Sequence, residues 1–316
     1  MIAGPYDMAT MPPRRRRRFE WTRFKYVKHE EVHKVLLPIN GMESVFTVLG
    51  AGNGLYVYHD DYRRLDRLLD QVANETFELE VVEVHCLDRL QHWRLPEERE
   101  IEAYYRGVDG FLAELQAKCQ RGGTSLLLLS DHGMEPVGGW LDVGGELARL
   151  DLPEDGYDFF IENTRATFWF RNDAVRAKIE RHLESLEHAV PLSRQAMDRY
   201  GLHFADRTFG DLFLYATPGY SFFPNDFHQP LATVTLSLMD WQQRPRLRDP
   251  RHKGDHGYLP ENACENGFML LADDGYAIRE APVTLLDVAP SILWLLGQPA
   301  PATMKGCPAF RPRNTC

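Results

Sequence analysis

No stretch of the 316 residues approaches the eighteen or so uncharged apolar residues that a bilayer crossing needs. The longest apolar blocks, such as Leu126 to Leu129, suit buried strands. No apolar segment follows Arg14 to Arg18 in the way a secretory signal requires, so neither a membrane span nor export is expected. The five cysteines (Cys86, Cys119, Cys264, Cys307, Cys316) are scattered without any CxxC spacing. That excludes a zinc ribbon and argues for reduced thiols in a cytoplasm rather than a disulfide framework. There is no GxxxxGK[ST] phosphate loop, no GxSxG elbow, no GxGxxG after a strand and no internal repeat.

What is present is an ordinary globular composition, with 44% hydrophobic and 26% charged residues, enough to bury a sizeable core. The net charge of −10 would repel a nucleic-acid backbone, which is bound by clustered Lys and Arg, so no nucleic-acid partner is expected. The run Arg14 to Arg18 is the exception, and it reads as a solvated arm because like charges repel and cannot bury.

Residues 1–22 mix Met, Pro and Arg without periodicity and read as a disordered basic tail. Beyond them, β-rich runs at Val35 to Ile39, Leu55 to Tyr58, Leu79 to His85 and Ser125 to Ser130 alternate with helical patterns at 61–74 and 96–119. This alternation predicts an α/β fold, a mostly parallel sheet sandwiched by helices, with a core of residues 23–150 and 251–310. In the second helix Ile101, Tyr104, Tyr105, Val108, Leu112 and Leu115 recur at three- and four-residue steps and predict one sheet-facing side. Asp287 is placed to cap a C-terminal helix that Gly297 ends. Residues 151–250 change texture, with aromatic alternation, a polar helix and a Pro- and Arg-rich passage, and read as an inserted α+β cap subdomain.

Three clusters carry chemistry. The leucine strand ends in Asp131, His132 and Gly133, and parallel sheets present ligands at such strand ends. Asp88 and His92, four apart after the strand at Leu79, share one face of a helical turn and can reach one divalent ion. In the segment His252-Lys253-Gly254-Asp255-His256-Gly257-Tyr258, glycines flank a histidine so that backbone can crowd close to a site. Singly, each is more often a turn pair, a surface ion pair or a loop histidine. Together they can converge on one site.

LLLLSDHGM, Asp88 with His92, GDHGY, and VTLLDVAPSILWLLG followed by MKG together resemble the alkaline phosphatase superfamily, most closely its type I phosphodiesterase/nucleotide pyrophosphatase branch. The resemblance runs from about Leu79 to Lys305, loosely across the cap. It implies two divalent metal ions, with zinc favoured by the mixed N/O ligands. Asp88, His92 and His256 would hold one ion, and Asp131 with His132 would contribute to the other. The implied activity is hydrolysis of phosphodiester or pyrophosphate bonds in a small-molecule phosphate ester.

The resemblance also implies an early strand bearing a metal-binding Asp and, some tens of residues on, a Thr or Ser nucleophile. No such segment is found: Asp7 and Thr10 lie three apart in the tail with no strand before them. The expectation is therefore a chain lacking the first βα elements, with its second metal position incomplete and its activity in doubt. The alternatives are a catalytically silent metal- or phosphate-binding protein and a phosphoglycerate mutase-like metalloenzyme. His29, Glu30 and His33 match HExxH, but they adjoin an apolar strand-like run and lack a nearby third ligand, so a zinc protease is not favoured.

Overall fold

The computed structural model describes residues 42–313 except 60, 62–63, 74–75, 96–97, 203–205, 208, 229 and 240. Asp7, Thr10, the Arg14 to Arg18 run, the HExxH match and the predicted strand at Val35 to Ile39 lie outside the described residues.

Helices and strands alternate through the first half: α1 (Val45–Leu49), β1 (Gly54–His59), α2 (Leu65–Gln71), β2 (Leu79–Val84), α3 (Cys86–Trp93), α4 (Glu98–Gly122) and β3 (Leu126–Ser130). β1 and β2 pair in parallel, from Gly54 opposite Leu79 to His59 opposite Val84, with α2 as the crossover. The α/β class follows from this unit. Leu65, Leu68 and Val72 on the α2 side meet Phe111, Leu115 and Cys119 of α4, with Val108 and Leu112 at the margin. Each such aliphatic side chain, once buried, contributes about 1.5–3 kcal/mol. The predicted α4 face holds except at Tyr105, which is 57% exposed; one residue on from buried Tyr104, it is rotated by about 100° out of the stripe.

β3 takes an antiparallel partner, β12 (Phe268–Ala272), with Phe268 opposite Ser130. Between them come β4 (Glu135–Pro136), β5 (Gly139–Leu141), α5 (Val143–Ala148), β6 (Tyr157–Ile161), β7 (Arg165–Phe170), α6 (Asp173–Glu184), β8 (Ala189–Ser193), β9 (Leu212–Ala216), β10 (Tyr220–Phe222), α7 (Pro230–Met239) and β11 (Gly254–Asp255). The order β6-β7-β9-β8 forms a four-stranded antiparallel sheet. Helix α6 lies against it through Val175, Ile179 and Leu183, four apart along one face. Asn172 caps that helix by accepting from the backbone N–H groups of Ala174 and Val175. Two short ladders, β10 with β5 and β11 with β4, connect this region to the segment after β3.

The chain closes with β13 (Tyr276–Ile278), α8 (Val288–Leu295) and β14 (Phe310–Pro312). Asp287 stands at the start of α8 and Gly297 follows its end with φ +69°. The Asp287 carboxylate does not cap α8, however. It accepts instead from Thr284 N, Cys307 N and Arg279 Nη2, donors that precede the helix or come from the segment after it. Among the described residues no helix is long and apolar enough to cross a membrane.

Candidate metal centre

The site is built where β2, β3 and β11 end. β2 runs directly into α3, whose first turn carries Asp88 and whose last carries His92. Because the two are four apart, Asp88 Oδ1 and His92 Nε2 lie 3.4 Å from each other. His85, just before α3, approaches the other carboxylate oxygen at 3.1 Å.

At the end of β3, Gly133 N donates to Cys264 O (2.7 Å), which fixes the turn that carries His132. His132 Nδ1 donates to Gly133 O at 2.8 Å, leaving Nε2 as the nitrogen with a lone pair. Asp131 is 73% exposed at its side chain, with Oδ2 3.4 Å from His132 Nε2.

β11 pairs with β4, placing Asp255 opposite Glu135 and bringing the next residue, His256, beside the Asp131 turn. His256 stacks on His132, with ring centroids 3.6 Å apart and planes at 16°. Its Nε2 lies 3.3 Å from Asp88 Oδ1. Gly254 and Gly257 permit this approach: a Cβ on Gly254 would stand 2.9 Å from Gln91 O, and Gly257 adopts φ +84°. The turn is held by Glu265, which accepts from the N–H groups of Gly257 and Tyr258, and by Thr164 Oγ1, which donates to His256 O.

Five sequence-predicted residues thus form one connected cluster, Asp131–His132–His256–Asp88–His92. Within it, ligand atoms of Asp88, His132 and His256 lie within 4.8 Å of one another. A second group, His92, His252 and Asp255, meets the same criterion. His252 and Asp255 were not among the predicted site residues, although both lie in the segment that pointed to His256. Asp255 Oδ1 is 3.0 Å from His252 Nδ1, and Ser221 Oγ reaches Asp255 Oδ2 at 2.7 Å.

The electrostatics suit a cation. Burial alone would raise the Asp88 pKa, but the close rings of His256 and His92, with the charges of His92 and His85, outweigh it and hold the carboxyl well below the usual carboxylate range. Burial would lower His92, but contact with Asp88, the charges of Asp88 and Asp255, and the Gly254 carbonyl raise it. For His252 burial prevails, and it stays below the ordinary imidazole value.

Asp88 Oδ1 is buried, and the 3.3 and 3.4 Å ring contacts do not complete a hydrogen bond to it among the described residues. A buried carboxylate oxygen left in that condition costs free energy unless something positive occupies the space before it. The donor set around it, one carboxylate oxygen and imidazole nitrogens, is that of zinc-type sites. The residues therefore fit a divalent ion.

No curated protein sequence matches the chain. Among solved structures, human ectonucleotide pyrophosphatase/phosphodiesterase 5 is similar at 14% identity and TM-score 0.55, covering 78% of this chain and 61% of its own. The inactive murine form of that protein, in complex with AMP, is similar at 15% identity and TM-score 0.53, covering 76% and 60%. The chain spans about three fifths of the length of these structures. The type I phosphodiesterase/nucleotide pyrophosphatase model matches residues 53–259, which is about two thirds of the chain and includes all five predicted ligand positions. The chain belongs to the type I phosphodiesterase/nucleotide pyrophosphatase family.

Proposed function

We propose that this chain is a metal-dependent hydrolase of phosphodiester or pyrophosphate bonds, working on a small nucleotide-type ester. The observation that carries the reading is the buried Asp88 Oδ1 facing His92 Nε2 and His256 Nε2 with no completed hydrogen bond. In this reading Asp88, His92 and His256 hold one divalent ion, and His132 with Asp131 contributes to a second. Such a pair, when bound, polarises phosphoryl oxygens and neutralises charge developing during in-line displacement. The chain's own part is to fix the ligands. α3 sets the Asp88–His92 spacing, Gly133 O keeps the His132 proton on Nδ1, and Glu265 holds the His256 turn. The AMP bound to the murine relative supports a nucleotide-containing substrate. Residues 151–250 would then act as the cap that shapes the substrate pocket. The free thiols of Cys86, Cys119, Cys264 and Cys307 support a reducing, cytoplasmic location.

A second reading, metal or phosphate binding without turnover, is favoured by one observation. The hydroxyls beside the His256 turn are engaged in holding it: Thr164 Oγ1 donates to the His256 and Gly257 carbonyls, and Ser221 Oγ to Asp255 Oδ2 and Asn163 O. One experiment separates the two. Purified protein is assayed for bound metal and for hydrolysis of a chromogenic phosphodiester, with and without His256→Ala. Metal with turnover that the substitution abolishes supports the hydrolase, and metal without turnover supports the binder. A protein that takes up no zinc or manganese overturns the hydrolase and the metal-binding form of the second reading, and leaves phosphate binding alone standing.

A further inference from the structure

The group His92, His252 and Asp255 has two chemical readings, a second cation site or a hydrogen-bonded support for His92. The geometry decides between them. His92 Nδ1 lies 2.9 Å from Gly254 O. A carbonyl oxygen can only accept, so Nδ1 carries the proton and has no lone pair to offer a cation on that side. The lone pair of the neutral ring is then on Nε2, the nitrogen that faces Asp88.

We propose that Asp255 is a positioning residue for His92, with Gly254 O fixing the tautomer and His252 and Ser221 holding the Asp255 carboxylate in place. The inference rests on the reading of His92 as a metal ligand and extends it to the residues behind the ligands.

Asp255 is 1% exposed, and its Oδ1 stands 3.6 Å from His92 Nδ1. That is too long for a hydrogen bond, but close enough for a negative charge in a low-dielectric setting to favour the proton on Nδ1 and strengthen Nε2 as a donor. Both carboxylate oxygens are occupied, Oδ1 by His252 Nδ1 and Oδ2 by Ser221 Oγ, so the carboxylate has little freedom to rotate. His252 is itself fixed, with the Trp93 ring edge-on at 4.4 Å and the His92 ring at 4.5 Å. Ser221 comes from β10, which pairs with β5. The support for His92 is thus drawn from β10, from β11 and from the turn before β11, whereas His92 itself is on α3. Groups of this kind behind a liganding histidine typically change metal affinity by about 10- to 100-fold.

The test uses the full chain and zinc. Affinity is read by competition with a chromogenic chelator for the wild type and for His92→Ala, Asp255→Asn, Ser221→Ala, His252→Asn and His252→Phe, each checked for folding by circular dichroism. Asp255→Asn and His252→Phe should each weaken zinc by about 10- to 100-fold. His252→Asn should bind close to wild type, because its side-chain N–H can stand where His252 Nδ1 stands. In the zinc-loaded wild type, long-range ¹H–¹⁵N histidine spectra should show the His92 proton on Nδ1.

If Asp255→Asn binds like wild type while His92→Ala loses zinc, the positioning role is overturned and the metal site stands. Wild-type protein that binds no zinc overturns the metal reading and this inference with it. If Asp255→Asn does not fold, the His252 pair decides: equal affinity for His252→Asn and His252→Phe overturns the inference. A His92 proton found on Nε2 does the same.

Discussion

His132 and His256 stack face to face at 3.6 Å, so the end of β3 and the turn after β11 share one wall of the site. The stack raises a question of partition. His132 Nε2 can complete the position of Asp88 and His256, or it can belong to a second ion with Asp131. The expected result is the second. On the proposed two-ion reading, a protein that takes up two zinc equivalents should lose one of them in His132→Ala, measured by elemental analysis after dialysis, while the other stays bound. Loss of all metal would instead assign His132 to the same ion as Asp88 and His256.

Much of this site was legible because its chemistry is local in sequence. The four-residue step from Asp88 to His92 and the Asp131–His132 pair at a strand end need only a helix and a strand to become geometry. His252, Asp255 and Ser221 were not singled out, since their roles depend on the β4–β11 and β5–β10 ladders, which join residues more than eighty positions apart. The direction of β3 was hidden for a similar reason. A run of four leucines predicts a buried strand, yet β3 is only half-buried with Leu129 exposed, because apolar composition says nothing of which neighbours cover a strand or whether its partner runs parallel or antiparallel. Asp287 shows the same limit, because an acid before a helix reads as a cap while its strongest donors, Arg279 and Cys307, lie outside the helix.

Gly257 precedes Tyr258 at φ +84°, where a Cβ would also stand 3.0 Å from Thr164 Oγ1. Gly257→Ala should cost about 1–2 kcal/mol from the left-handed backbone alone and should loosen the hydrogen bond from Thr164 to His256 O. Gly254→Ala should be worse, since its Cβ would meet the backbone oxygen of Gln91 and force β11 away from α3. Thermal melts check both. A Gly254→Ala protein that melts with the wild type would show that β11 and α3 are not in close contact.

Asp287 gives the pH prediction. Burial would raise its pKa, but hydrogen bonds from Cys307 N, Thr284 N and Thr284 Oγ1, together with the Arg279 charge, hold it below the usual carboxylate range. A depressed folded pKa means that the stabilisation is present above the unfolded value of about 3.9 and is lost as pH falls through the folded one. Asp287→Asn removes the charge from hydrogen bonds worth about 1.5–3 kcal/mol each when one partner is ionised, so it should destabilise the protein at pH 7. The gap between wild type and variant should narrow below pH 4. Urea titrations at pH 7 and at pH 3 measure it, and a gap that stays constant would refute the role given to Asp287.

Cys264 sits between the two halves of the site, with its carbonyl accepting from Gly133 N and its thiol beside Glu265, the residue that holds the His256 turn. Burial, reinforced by the charges of Glu265 and Glu135, pushes this thiol up to about 11. At pH 8 its thiolate fraction should be roughly two hundred-fold below that of a free cysteine with a pKa of about 8.5, and alkylation should slow, by less than that factor because a thiolate of higher pKa is the stronger nucleophile. Iodoacetamide labelling followed by site-resolved mass spectrometry reads this rate. Glu265→Gln should speed the reaction by removing the nearest negative charge and, since the Gly257 and Tyr258 N–H groups lose a charged acceptor, should weaken zinc as well. Faster labelling with unchanged zinc affinity would mean that the His256 turn is held by Thr164 and the β4–β11 ladder without help from Glu265.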